Sequence, residues 1–537
     1  MNQISIFTKM KKELKQKRNR YEMHKYWGKK PSSNLRGLIE KFSKEGDTVL
    51  DPFSGYGVFA CEAFILNRNV ISNDLNPIAN YINKQLLEKE IDLNKIQLEW
   101  LKIKEEFTPF VKKWYHWEYD GEDVQLITIL RDNNDNPIKG KIKRPKDKKA
   151  IEINFDKTKV QAYLDFEKYQ EIKDWFPQNK LIENSRISAK KNMTVADLFT
   201  KRTLACHAKL LNLINEISTG KEKDLLKVAF TANLANCSKL VPPIKSRGEM
   251  APGAWMTGFY VGETYLENNV LQYFENRFKK IISGKKDYLS HFGDEQSLEL
   301  FNNNNSYTVL QNDAKNLKLK NDSVDYVFTD PPYGEAVPYF EQSIIWNSWL
   351  QLTPNYKEEI VITDSKERNK DIIAFEKDIN LAFQEIRRVL KPEGYFSLTY
   401  HSLSGLEWKA ITNACINNGF ELIDYEWLVQ KSFTPRQINR SKSIKGDVLV
   451  TLQKAPSIQA KIKTDQELEA LFIRKIDNWL SSKPLDTNDI FLKIMRMIFE
   501  EKILIGKINI LNILTNQFKF TEEQKWTSKY VPEVNPT

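Results

Sequence analysis

Apolar residues along the chain alternate between short continuous runs closed by turn formers and longer stretches with helical spacing. That alternation predicts strands feeding into helices. The first unit starts at Asp47: Thr48-Val-Leu50 reads as a short buried strand ending in Asp51-Pro-Phe-Ser-Gly-Tyr-Gly57. A helical run over Val58–Asn67 and a second strand, Asn69-Val-Ile-Ser72, follow, with Asn73-Asp74 at the strand tip. The same rhythm returns far downstream. Tyr307-Thr-Val-Leu310 runs on to Asp313, and Val324-Asp-Tyr-Val-Phe-Thr329 runs into Asp330. An amphipathic stretch from Phe375 to Leu390 passes through Lys391-Pro-Glu-Gly394, a helix stop and turn, into Tyr395–Tyr400. A helix around Trp408–Asn418 and strands at Glu421–Trp427 and Asp447–Thr451, an antiparallel edge, complete the pattern. Strands alternating with helices define an α/β chain with a doubly wound, mostly parallel sheet.

The interval from Ile78 to Asn305 is too long for a loop and must be inserted structure. Its first half predicts a hairpin, Val124–Leu130 and Ile138–Lys143 about the turn Asp132–Pro137, and a strand at Ala150–Phe155. Its second half predicts helices at Val195–Ile217, Lys223–Leu240 and Glu263–Ile282. The expected organisation is a basic arm (1–22), a split catalytic domain (23–79 and 306–455) and an α+β insertion (80–305). Within the insertion, a hairpin part covers about 115–160 and a helical part about 190–285. A separate helical C-terminal unit covers 456–537.

Composition narrows the class. With 41% hydrophobic and 12% aromatic residues in 537, the chain can bury a core, which excludes wholesale disorder. No apolar window is long enough to span a membrane, and no secretory signal is expected. Four cysteines without a Cys-x-x-Cys pair fit a reducing cytoplasm, and Cys206-His207 lacks the partner spacing of a metal site. The 81 basic against 71 acidic residues give a net charge of +10. Between Lys9 and Lys30 alone stand ten basic residues against two acidic ones. A second basic cluster runs from Lys139 to Lys149 and includes Lys143 and Arg144; a third comprises Lys431, Arg436, Arg440, Lys442 and Lys445. Each alone suits a solvated face, but three together point to a phosphate-contacting surface.

The candidate chemistry lies at the strand tips. Gly55 and Gly57 allow the backbone of a strand-to-helix turn to approach a ligand at the positive end of a helix. Asp74 is placed like the acid that takes ribose hydroxyls in nucleotide-binding sheets, and Asp313 can accept from the exocyclic amine of an adenine. Acids in place of a phosphate-binding lysine argue against ATP and for a nucleoside ligand such as S-adenosylmethionine. Asp330-Pro-Pro-Tyr333, followed by Gly334, ends the fourth strand. Asp330 and the Pro331 carbonyl can each accept one N–H of a planar amine, turning its lone pair toward a methyl donor. Pro331 and Pro332 stiffen the loop, and Tyr333 offers a face to stack on a base.

With these motifs the chain resembles the DPPY-class DNA amino-methyltransferases, over about Met23–Ala79 and Ser306–Lys454. The resemblance implies a Rossmann-like methyltransferase fold and transfer from S-adenosylmethionine to adenine N6 or cytosine N4, with adenine favoured. It assigns Asp51, Phe53, Gly55 and Gly57 to the cofactor turn, Asp74 to the ribose, Asp313 to the cofactor adenine and Asp330–Tyr333 to the target base. His24-Lys-Tyr-Trp-Gly-Lys-Lys-Pro31 is similar to the family's N-terminal cofactor motif, where Lys29 or Lys30 would meet the methionine carboxylate; the alternative is that it simply continues the basic arm. Together with Val195–Arg202 and the Asp330–Tyr339 run, it makes the chain similar to the large bacterial and archaeal site-specific DNA methylases. One departure is that the insertion precedes Asp313 instead of the catalytic motif, which leaves the recognition segment open.

Further base and DNA contacts are expected from Tyr339, Phe433, Trp255 with Arg247, Lys143, Arg144 and Arg436. For Tyr339 and Trp255 core packing is the competing reading, slightly favoured for Trp255. His401 is given no role, since transfer to an amine needs no strong base. The implied partners are double-stranded DNA, with the target base flipped out of the stack, and a restriction or defence protein; the implied location is the cytoplasm, on the nucleoid. Two alternatives stay open. An RNA guanine-N2 methyltransferase also carries such a loop, although few residues here precede the sheet to bind RNA. A catalytically dead binding subunit would not need the intact loop and glycine turn.

Overall fold

The computed structural model describes residues 19–144, 146–155, 157–293, 305–334, 337–400, 406–428, 447–455 and 460–529. From Asn19–Glu22, one turn of 3-10 helix, the chain enters α1 (Ser32–Phe42), β1 (Thr48–Asp51), α2 (Val58–Ile65), β2 (Asn69–Asn73) and α3 (Pro77–Leu87). The insertion then contributes α4 (Leu93–Trp114), β3 (His116–Tyr119), β4 (Glu122–Asp132), β5 (Pro137–Ile142), β6 (Ile151–Asn154) and α5 (Lys157–Tyr169). It continues with α6 (Lys201–Ile217), α7 (Gly220–Leu234), β7 (Thr264–Asn268) and α8 (Val270–Leu289). The main sheet resumes with β8 (Tyr307–Leu310), β9 (Val324–Thr329), α9 (Tyr339–Trp349), α10 (Ile372–Val389), β10 (Leu390–Tyr400), α11 (Leu406–Asn417), β11 (Phe420–Leu428) and β12 (Asp447–Lys454). Three tail helices follow: α12 (Asp465–Leu480), α13 (Thr487–Glu501) and α14 (Ile510–Gln517).

The main sheet has the order β11-β12-β10-β9-β1-β2-β8. Its strands are parallel except β12, which runs antiparallel to both β10 and β11. Val49 and Leu50 are fully buried in β1, as a parallel strand covered on both faces requires. From β1 the chain winds outward to β2 and β8, then returns across β1 to β9. The switch point therefore lies between the carboxyl ends of β1 and β9, where Asp51 and Asp330 stand. This is the expected Rossmann-like methyltransferase architecture, seven strands with one reversed. Lys391–Gly394, expected as a turn, lies instead inside β10, where an irregularity shifts the β9/β10 register between Leu390 and Tyr395.

The insertion folds as a second sheet, β3-β4-β5-β6 with β7 on the other edge of β4, packed with α4, α6, α7 and α8. One expectation is corrected. Glu263–Ile282 does not form a single helix: Thr264–Asn268 is a strand paired with Thr128–Asp132, and α8 begins at Val270. The buried Glu267 carboxylate lies 2.7 Å from Arg131 and 3.3 Å from Arg202, and those partners hold the segment extended. The two ends of the insertion are tied together. Lys285 Nζ donates to the carbonyl of Gln85 (2.9 Å) and to that of Glu88, and the Tyr288 hydroxyl donates to the carbonyl of Leu87 (2.7 Å). They cap the last turn of α3 with side chains from the far end of the insertion.

One apolar core joins the insertion to one face of the main sheet, through α3, α7 and α9. The opposite face is covered by α10 and α11, and the tail helices share that core instead of standing apart. Trp408 Nε1 lies 3.0 Å from Met495 Sδ, and Asn413 donates to the carbonyl of Ile505. Arg20, counted with the basic arm in the sequence, is 1% exposed. It pairs with Glu62 (2.7 Å) and Asp287 (3.1 Å), so the body of the fold begins before Met23. Among the described residues no helix is long and apolar enough to cross a membrane.

Candidate active site

The wall of the cleft at the switch point brings together Tyr26–Lys30, the Asp51–Tyr56 turn, Asp74, Asp313, Asp330, Pro332 and Tyr339. Two neighbouring N-terminal segments thus meet, at the strand tips, a third that begins 239 residues after Asp74.

The glycine turn is held from below. Gly55 (φ +51°) and Gly57 (φ +86°) both lie in the left-handed region. The Asn83 amide, from α3, donates to the carbonyls of Gly55 (2.7 Å) and Ala79 (2.8 Å), and its oxygen accepts from Ser72 Oγ (2.9 Å). Asp51 accepts from Phe53 N–H (3.1 Å), and burial pushes its carboxyl well above the usual carboxylate range. Asp74 accepts from the backbone N–H of Gly55 and of Asn76, each at 2.8 Å, which fixes the plane of the carboxylate and leaves each oxygen a further lone pair. Asp313 caps the Lys315 N–H (2.9 Å) and sits 3.3 Å from its ammonium.

Burial raises the Asp74 carboxyl to about 6, against the opposing effect of its two backbone donors. Because the folded state holds the proton more tightly than the unfolded chain, the contribution of this group to stability is fully present below about pH 4 and is lost as pH rises through about 6. Ribose hydroxyls favour the ionised acceptor, so cofactor binding runs the other way. Cofactor affinity is expected to fall as pH drops below about 6, by up to about tenfold per pH unit, with Asp74→Asn removing this dependence. Titration calorimetry between pH 5 and 8 checks it; a flat profile in the unsubstituted chain would refute the assignment.

The Asp330 carboxylate is held by three donors. Asp330 Oδ1 accepts from the Tyr333 hydroxyl, from Thr399 Oγ1 (2.5 Å) and from Lys30 Nζ (3.0 Å). Lys30 also reaches Asp447 at the head of β12 (2.8 Å). Gly28 (φ +73°) lies beside the loop: a Cβ there would stand 3.2 Å from the Tyr339 hydroxyl and 3.7 Å from Asp330 Oδ2. Tyr333 does not line the cavity as a stacking face. Its hydroxyl is bound to Asp330 and lies 3.0 Å from the Thr399 carbonyl, and its half-buried ring packs against the core that α10 and α11 cover. The aromatic wall is formed instead by Tyr339 stacked on Tyr26, with centroids 6.1 Å apart and planes 20° apart.

The other site residues divide. The Lys29 ammonium donates to the carbonyls of Tyr21 (2.8 Å) and His24 (2.6 Å) and lies over the Tyr56 ring, so of the two lysines it is Lys30 that pairs with Asp330. Trp255 is buried edge-on against Trp27 and Trp346, which is the core-packing alternative. The Arg144 guanidinium is taken up by Asp147 (3.0 Å) and Asp120 (3.2 Å), so it is not an open phosphate contact. Lys143 and Arg247 are exposed. Phe433, Arg436 and His401 lie outside the described residues. Sequence reasoning missed Tyr26, Lys30 as partner of Asp330, Asn83, Thr399 and Asp447; each acts through a contact outside its own segment, and only Tyr26 and Lys30 sit in a motif, the His24–Pro31 segment.

Residues 3–85 match the model of a family described as DNA methylase, of the N6/N4 type. That segment holds His24–Pro31, the glycine turn and Asp74. A curated relative, the tRNA (guanine(37)-N(1))-methyltransferase of Schizosaccharomyces pombe, is 42% identical over 71 residues, 13% of this chain and 15% of that enzyme. Among solved structures, an S-adenosylmethionine-dependent methyltransferase of Methanosarcina mazei overlaps 28% of this chain and 68% of its own, at 11% identity and TM-score 0.16. Phosphoethanolamine N-methyltransferase 2 of Haemonchus contortus, solved with S-adenosyl-L-methionine, overlaps 80% of this chain and all of its own, at 12% identity and TM-score 0.18. The family match is consistent with an amino-methyltransferase of the DPPY class, and it implies S-adenosylmethionine as the cofactor. The acids at the ends of β1 and β2, the open glycine turn and the aromatic wall suit a cationic nucleoside of that kind.

Proposed function

We propose that this S-adenosylmethionine-dependent methyltransferase of the DPPY class acts on DNA, methylating the exocyclic amine of a flipped base, with adenine N6 the favoured target. The observation that carries the proposal is Asp330 at the switch point. Three donors fix its Oδ1, and the residue lines the same cavity as Asp51 and Asp74. The bound cofactor supplies an electrophilic methyl group on a sulfonium. Asp330 Oδ2 and the Pro331 carbonyl accept the two N–H bonds of the amine, which concentrates the lone pair on nitrogen. Asp330 would take the proton that the amine gives up on receiving the methyl group and pass it to solvent. Such catalysis is chiefly positioning and electrostatic preorganisation.

Transfer of labelled methyl from S-adenosylmethionine to unmodified bacterial DNA, with Asp330→Ala as control, tests the reading. Label in transfer RNA and none in DNA would favour a second reading, an RNA guanine methyltransferase, which the short likeness to the tRNA enzyme supports. No label in any nucleic acid, with no cofactor bound, would defeat both.

The basic arm supplies a further prediction. Deletion should stop at Arg18, because Arg20 is part of the buried ion-pair network. Residues 1–18 hold six basic side chains. Removing them is expected to weaken duplex binding broadly and to flatten the slope of log affinity against log salt. Each phosphate that is no longer neutralised should reduce that slope by about 0.9, for a total change of roughly three to five. An unchanged slope in fluorescence anisotropy titrations would rule out the arm as a phosphate-binding element.

A further inference from the structure

We infer that the turn Trp255–Tyr260 is the wedge that opens duplex DNA, with Met256 and Tyr260 entering the base stack beside the target base; this presupposes the DNA reading above. Along the turn, buried and exposed side chains are paired. Trp255 and Phe259 are 8% and 1% exposed, whereas Met256 and Tyr260 are 40% and 52% exposed. The buried pair forms the pedestal. Trp255 meets Trp27 of the cavity wall at 6.4 Å between centroids and Trp346 of α9 at 6.3 Å. The 3-10 turn Thr257–Phe259 is thereby seated beside the helix that leaves the catalytic loop.

Two further features set these residues apart from scattered surface hydrophobics, which are ordinary on any protein. The first is backbone conformation. Phe259 adopts φ +57° directly after Gly258 at φ +74°, a left-handed pair in which a bulky aromatic is an outlier. The surroundings hold it: Ser188 N–H donates to the Gly258 carbonyl (2.7 Å), and a Cβ on Gly258 would stand 2.9 Å from the Arg186 carbonyl oxygen. Strain held this firmly keeps Met256 and Tyr260 projecting from a rigid base. The second is charge. Lys245 and Arg247 are exposed on the same segment, and Lys25 Nζ sits 3.9 Å above the Trp255 ring. Of the nearby acids, Glu249 is paired with Lys139 and Glu263 is exposed. An apolar, aromatic tip between cations, beside a cavity that needs an extrahelical base, has the composition of side chains that unstack a base step. Trp255, by contrast, is too deeply packed to enter DNA.

The test separates opening from chemistry. The modified site is first read by sequencing plasmid DNA treated with the chain. Duplexes of that site are then made with the target base paired normally or placed opposite an abasic position, which removes the cost of opening. Met256→Ala/Tyr260→Ala is expected to lower kcat/KM on the paired duplex by about 30-fold and on the abasic-opposed duplex by less than about threefold, because unstacking is needed only in the first. Tyr260→Phe should stay within about threefold on both, since the wedge needs the ring and not the hydroxyl. In parallel, 2-aminopurine at the target position should brighten with the unsubstituted chain and remain quenched with the double variant. Equal losses on the two duplexes, or none on either, would overturn the wedge while leaving the DNA reading intact. Failure of the unsubstituted chain to methylate any DNA would bring down that reading, and the wedge with it.

Discussion

Asp330→Ala is expected to abolish methyl transfer, lowering the single-turnover rate at saturating cofactor and nucleic acid by at least about 10³-fold, within the range for removing a positioned acceptor and its electrostatic contribution. Two effects combine. The amine loses the acceptor that directs its lone pair, and Lys30, Tyr333 and Thr399 lose the anion they surround. Asp330→Asn keeps the shape but offers an acceptor at only one of its two terminal atoms, so it should retain part of the rate. Cofactor affinity should change by less than about fivefold if, as proposed, Asp74 and the glycine turn hold the nucleoside and Asp330 the target amine. Quenched-flow measurement of labelled product and calorimetry of cofactor binding read the two quantities separately. A tenth of the original rate surviving in Asp330→Ala would remove this residue from the chemistry.

The second large effect is structural. Gly57→Val should destabilise the chain by about 3–5 kcal/mol, at the upper end for point substitutions. At φ +86° a branched side chain bears a conformational penalty of about 1–2 kcal/mol. A Cβ at this position would collide with the Asn83 side chain, whose Cγ would lie 2.6 Å away. Displacing Asn83 releases its bonds to Gly55, Ser72 and Ala79, each worth about 0.5–1.5 kcal/mol. The same displacement frees the turn over the cavity, so cofactor affinity should fall more than about tenfold in whatever fraction folds, as lost preorganisation. Chemical denaturation with and without cofactor measures both; a midpoint shift worth less than about 1 kcal/mol would show that Asn83 can move aside freely.

The legible parts of this molecule are those in which chemistry and local structure coincide. Asp51, Asp74, Asp313 and Asp330 can be placed because each follows a strand whose apolar run is local, and parallel topology brings strand ends to one edge. The contacts that tune the site are not local. Lys30 and Asp447 lie 417 positions apart, and Thr399 reaches Asp330 across 69. Tyr333 illustrates the limit: its motif predicts a stacking face, but the hydroxyl finds Asp330 and draws the ring against the core. In the insertion, α4 continues through Pro109, a residue whose local preference argues against a helix interior. Thr264–Asn268 reads as helix until Arg131 and Arg202 supply the charges that hold Glu267 in a strand.

The clasp between α3 and α8 has a consequence for how the chain is made on the ribosome. β8 must pair with β2, Val70 opposite Tyr307, across 237 positions. At about 5–20 residues per second, β2 leaves the exit tunnel roughly 10–50 s before its partner exists, with its outer edge unpaired. Closing so long a span in one step would be entropically costly. Lys285 and Tyr288 emerge shortly before β8 and seize the carbonyls at the end of α3. Nascent β8 is then tethered by a span of only about twenty residues, and the late strand docks as a local event.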